Sequence, residues 1–135
     1  MKVKIALAAM AALLGSASLT PAAQTIVSPA LQTASGTAGA CYIRNVGSTP
    51  IFLQVTVLEN FSPDFITPDF QNCNGEAALA PGKTCVLLVN DLPDDVTFEC
   101  SATALSGNVR NLRGTAELRL IDRNGLQVLA AQDLR

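Results

Sequence analysis

Leu112-Arg113-Gly114-Thr115-Ala116-Glu117-Leu118-Arg119-Leu120, followed by Ile121-Asp122-Arg123 and then Asn124-Gly125, decides the class of the fold. Apolar or small residues at 112, 114, 116, 118 and 120 alternate with Arg113, Thr115, Glu117 and Arg119, the two-residue period of a strand with one buried face. Asn-Gly favours a two-residue hairpin turn whose central residues both take positive φ. A return strand over 126–134 is therefore expected, pairing Leu120 with Leu129 and Leu118 with Ala131. These side chains would bury one face together, leaving Glu117 and Arg119 in water.

Upstream the same texture recurs: short apolar runs separated by turn residues, and no sustained helical period. Further strands are expected near 40–46, 51–58, 84–90 and 96–103, with others near 25–33 and 76–80. In the second of these, Ile51, Leu53, Val55 and Val57 form the better core face, and Phe52, Gln54, Thr56 and Leu58 the opposite one. Residues 24–39, rich in Ala, Thr, Ser, Gln and Gly, read as a flexible arm or a marginal first strand. Between Asn60 and Asn72 the chain repeats Pro-Asp-Phe at 63–65 and 68–70. Two prolines argue against a central strand there. One reading is a long loop whose phenylalanines pin it to the core. The other is a recognition loop presenting Phe61, Asp64, Phe65, Asp69 and Phe70 to a partner.

Lys2 and Lys4 precede an apolar run over 5–14 and then small residues, the pattern of a secretory signal peptide and too short for the roughly 20 residues of a membrane-spanning helix. Small residues precede the bonds after Ala17, Ala22 and Ala23; the later sites are preferred, giving a leader over 1–23 and a single domain over 40–135 behind the arm. Without Lys2 and Lys4 the chain carries seven basic against eleven acidic residues, a net charge of -4. That balance argues against nucleic acid as a partner. Acidic residues crowd the middle and arginines the last third, so the domain is dipolar and self-association is one option to weigh.

Cys41, Cys73, Cys85 and Cys100 allow three pairings. Export makes two disulfides the default, and no His or Cys-x-x-Cys pair supports a metal site. The short loop turning at Pro81-Gly82 favours Cys73 with Cys85, leaving Cys41 with Cys100 to join two strands.

Asn45-Val46-Gly47-Ser48-Thr49-Pro50-Ile51 resembles the Asn-x-Gly-x-x-Pro-apolar turn of bacterial choice-of-anchor and ASH domains, immunoglobulin-like sandwiches related to the major sperm protein fold. Cys73, then Leu79-Ala80-Pro81-Gly82-Lys83-Thr84-Cys85, is similar to that family's Cys, spacer, Leu-x-Pro-Gly-x-Ser-Cys segment, and Pro93 falls where a proline often closes the next strand. The resemblance spans 45–120 and departs at Asp91, where an aromatic is expected, and at Cys100, which has no usual counterpart. It implies a small all-β, immunoglobulin-like antiparallel sandwich of about seven strands and an accessory or binding role, with no catalytic residue.

Lacking His altogether, the chain cannot run Ser-His-Asp or Cys-His chemistry. Asp91, Asp94, Asp95 and Glu99 are the nearest carboxylate cluster, but Pro93-Asp94-Asp95 is ordinary turn composition; the alternative there is a weak, oxygen-ligated calcium site. No cofactor and no metal is expected. The leading expectation is an exported, non-enzymatic module for interaction or assembly, periplasmic or extracellular, whose partner is another protein or an envelope component. A small secreted inhibitor or effector is the first alternative. The second is a fimbrial-type subunit whose arm completes a neighbour's sheet.

Overall fold

A computed structural model of the chain describes residues 24–59, 62–65, 67–74, 77–122 and 124–135, with the main chain alone at 62–65 and 121. The leader read at 1–23 lies outside the described residues. Among those described there are ten strands: β1 Gln24–Val27, β2 Leu31–Gln32, β3 Thr37–Asn45, β4 Leu53–Glu59, β5 Ser62–Phe65, β6 Phe70–Gln71, β7 Thr84–Val89, β8 Thr97–Ala104, β9 Leu112–Asp122 and β10 Gly125–Asp133. A 3₁₀ turn, Val109–Asn111, leads into β9. The strands form two antiparallel sheets. Sheet A runs β1-β8-β4-β5, with β2 also on β8; sheet B runs β10-β9-β3-β7-β6.

The fold is thus the all-β, two-sheet, two-disulfide architecture expected. The strand count exceeds the expected seven because β1, β2, β5 and β6 are edge pieces of two to four residues. β1 and β2 are two parts of one edge, both paired with β8 and interrupted around Pro29. Of the strand expected near 76–80, the described residues 77–80 form only an isolated bridge between Ile51 and Leu79.

The core lies between the sheets. Ile51, Leu53, Val55 and Val57 are all buried, as the alternation required, and face Ile43, Leu87, Leu112, Ala116 and Leu118 from sheet B. Phe98 sits at the centre, against Gly39: a Cβ there would lie 2.3 Å from the ring, so only glycine admits this aromatic. Cys41 of β3 is bonded to Cys100 of β8, Cα atoms 6.0 Å apart, joining the two sheets through the middle of the core. Cys73 is bonded to Cys85 with Cα atoms 5.0 Å apart, tying the segment before β7 to β7 itself. Chain-entropy reasoning assigns about 3 kcal/mol to the shorter loop and a little over 4 to the longer.

Asn45 joins the two turn segments singled out in the sequence. Wholly buried, it donates from Nδ2 to the carbonyls of Thr49 (2.8 Å) and Leu79 (2.9 Å) and accepts the Gly47 N–H at Oδ1 (2.9 Å). Its main chain bonds Lys83 and Gly82. One buried amide thereby holds the 45–51 turn against the Pro81-Gly82 turn, whose glycine has φ 72°.

The last hairpin forms, but in a different register from the one expected. The ladder closes on Asp122 with Gly125, Leu120 lies opposite Gln127, and Leu118 lies opposite Ala130 after a bulge between Val128 and Ala130. The cause is local. Asp122 Oδ1 accepts the Asn124 N–H at 2.7 Å, and Oδ2 accepts from Gln127 Nε2 at 3.0 Å. An aspartate folding its carboxylate onto the main chain two residues on makes its own turn. The hairpin is thereby pulled back one residue, with Gly125 at φ 112°. Leu129 and Ala131 consequently do not join the core; both are exposed.

Candidate interaction surface

The 60–72 segment is not the irregular loop expected. It carries the chain from one sheet to the other, supplying β5 at the edge of sheet A and β6 at the edge of sheet B. Edge positions are where prolines are tolerated in sheets, and Pro63 lies in β5. Of the five candidate recognition residues, Phe61 lies outside the described residues, as do the side chains of Asp64 and Phe65. Asp69 has a structural contact: its Oδ2 accepts the Asn90 N–H at 2.6 Å and its own N–H donates to Leu88. Phe70, 50% exposed, stands on the outer face of sheet B opposite Leu88. The chain is then held by Asn72, whose Oδ1 accepts from Val86 N–H (2.7 Å), and by Asn74. The Asn74 amide accepts from Val55 N–H (2.6 Å) and donates to Val55 O (2.7 Å), taking the place of a strand residue beside β4.

Register places the outward side chains of sheet B in rows. Phe70, Leu88, Ala40, Glu117 and Ala131 form one, and Val86, Tyr42, Thr115 and Asp133 the next. Beyond them Thr84, Arg44 and Arg113 lie together at one end, and Ala38, Arg119 and Val128 towards the other. Arg119 pairs with Glu117 at 2.6 Å and stacks over Tyr42, 5.0 Å from the ring centroid. This pair is half-buried rather than fully in water as the alternation had suggested. Next to it β10 is exposed almost throughout: Leu126 and Val128 are each 54% and Leu129 50% accessible. Among the described residues its only ladder partner is β9.

No family model, curated protein or solved structure matches the chain. The surface is accordingly read from its own chemistry.

The carboxylates of 91–99 do not gather. Asp91 (φ 50°) and Asp95 (φ 55°) occupy left-handed turn positions, which aspartate tolerates better than most residues. The turn is latched by buried Thr33, whose hydroxyl donates to Pro93 O at 2.6 Å. Glu99 lies on β8 opposite Leu58, nearly buried, and burial pushes its carboxyl above its ordinary pKa. Among the described residues no three His, Cys, Asp or Glu side chains converge as metal ligands would, and no helix is long and apolar enough to cross a membrane. The arm that the fimbrial reading would donate to a neighbour is paired here with the chain's own β8. Sequence reasoning missed the exposure of β10, because its apolar content matches that of a buried strand. It also missed the Arg44–Arg113 neighbourhood, because these residues meet only through the β3–β9 register.

Proposed function

We propose that the chain is an exported, non-enzymatic β-sandwich module for interaction or assembly, periplasmic or extracellular, of the kind its resemblance to ASH-type sandwiches implies. The observation that carries this reading is β10, a nine-residue edge strand presenting Leu126, Val128 and Leu129 to solvent. Long apolar edges with unpaired main-chain groups are templates for another chain, and aromatic or aliphatic anchors dominate binding energy. Phe70 extends the apolar surface at the far edge of the same sheet. The two disulfides fit an oxidising compartment, and the absence of His in the sequence supports a role in binding over catalysis.

The test is photo-cross-linking in the native envelope from position 128, with position 54 on the outer face of sheet A for comparison. A defined product from 128 that Leu126→Lys abolishes is the expected outcome. Equal products from both positions, or none from either, would count against the reading.

A further inference from the structure

Charge in this molecule is unevenly placed along the strand direction. Arg44, Lys83, Arg110, Arg113 and Arg135 lie at the end where β3 finishes and β9 begins, with Asp133 beside them, while Asp69, Asp91, Asp94, Asp95 and Asp122 lie towards the opposite end, with Arg119. At the basic end Arg44 and Arg113 stand directly opposite one another in the β3–β9 ladder. Like charges so placed destabilise a sheet. Neither forms an ion pair among the described residues, where the one such pair is Arg119 with Glu117. Both arginines line an open depression of about 460 Å³ on the outer face of sheet B, together with Arg135 and the hydroxyl-bearing Tyr42, Thr84 and Thr115.

We propose that this depression binds the tetrahedral oxyanion of a phosphate or sulfate ester. Arg113 is already set for the task. Its Nη1 donates to the carbonyls of Arg110 (2.8 Å) and Leu112 (2.7 Å), which uses both hydrogens of that nitrogen. The Nε–Nη2 edge is left, and that edge makes the bidentate pair with an oxyanion. The Arg110 carbonyl is delivered by the 3₁₀ turn, which Asn108 caps by accepting the Arg110 N–H at 2.9 Å. The sequence Asn108-Val109-Arg110-Asn111 thus holds a guanidinium still at the sheet surface.

The guanidiniums of Arg44 and Arg113 and the hydroxyls of Tyr42 and Thr84 offer more donors than a carboxylate's two oxygens can use, whereas a phosphate or sulfate presents acceptors in several directions. The volume exceeds that of a bare ion and falls in the range of small-ligand sites, roughly 300–1,000 Å³, so the oxyanion is read as one group of a larger molecule. Asp133, with Oδ1 3.5 Å from Thr115 Oγ1, lies on the β10 side and repels an anion there. The oxyanion is confined to the Arg44–Arg113 side.

The experiment titrates the disulfide-bonded protein with inorganic phosphate, inorganic sulfate and acetate, chloride holding ionic strength constant, and follows the amide resonances of Thr84 and Thr115. Saturable shifts with phosphate or sulfate are expected, weakened roughly tenfold by Arg44→Gln and by Arg113→Gln and unchanged by Lys83→Gln. Arg44→Gln should melt no lower than the parent, because it relieves the like-charge opposition, so lost binding cannot be mistaken for lost folding. Non-saturable shifts, acetate binding as tightly as phosphate, or equal weakening by Lys83→Gln would each overturn the proposal. Glucose 6-phosphate and phosphatidylglycerol vesicles then separate a soluble ester from a lipid headgroup. Arginine-dependent binding to either upholds the site, and binding to neither overturns it.

Discussion

β9 and β10 are the two arms of one hairpin, similar in apolar content, yet one builds the core and the other faces solvent. In β9, Leu112, Ala116 and Leu118 are buried at 2% accessibility or less; in β10 no residue is buried, and only Ala130 is partly so. The difference lies in position. β9 sits between β3 and β10 and beneath sheet A, so its strict alternation converts directly into one buried face. β10 lies at the edge of sheet B, and its alternation is broken by the extra residue at Leu129. Apolar content says that a strand can be buried; neighbours on both sides and an unbroken period decide whether it is.

The largest effect should come from truncating the two arms in turn. Leu118→Ala is expected to cost about 2–5 kcal/mol in urea unfolding, whereas Val128→Ala should stay within about 0.5 kcal/mol. Comparable losses would mean that β10 carries core packing after all. Next in size is Gly114→Ala on β9, where a Cβ would fall 2.8 Å from Ile43 Cδ1, 2.9 Å from Leu134 Cδ2 and 3.2 Å from the Tyr42 carbonyl. Overpacking of this kind costs about 1–3 kcal/mol; a neutral Gly114→Ala would show that Leu134 does not close over the core as described.

Deleting Leu129 removes the bulge without disturbing the pairs on either side of it. Stability should change by less than about 1 kcal/mol, but a straighter apolar edge should associate more strongly in sedimentation, since bulges blunt edge-to-edge pairing. An unchanged sedimentation profile would remove the bulge from that role. The smallest effect concerns sheet A. Glu99, its pKa raised by burial, contributes its stability fully below the ordinary glutamate value, about 4.3, and loses it as the pH rises through the folded value. Glu99→Gln should therefore gain on the parent protein between acid and neutral pH, read as a melting-temperature difference that widens with pH. A difference independent of pH would contradict the burial of that carboxyl.

The core faces of β4 and β9 could be read in the sequence because a two-residue period maps directly onto burial. The disulfide partners followed from a short loop and from elimination, and both bonds are present. The hairpin register could not be read that way, because Asn124-Gly125 was outcompeted by the Asp122 side chain two residues earlier. The crossover at 60–72 was legible only as something other than a central strand, since edge pairing leaves no periodic trace. Arg44 and Arg113 are 69 positions apart in the sequence, and nothing short of the β3–β9 ladder brings them together.

That ladder also sets an order of events. β3, the middle strand of sheet B, finds its two neighbours only in β7 and β9, with Thr37 opposite Leu120, and its disulfide partner only at Cys100. A chain delivered N-terminus first therefore presents β3 as an unpaired apolar strand until most of the sequence has followed. Pairings so distant in sequence form slowly, because loop-closure entropy must be met before the contacts return it. A polypeptide wired in this way stays open while it emerges and closes only after its last strands arrive.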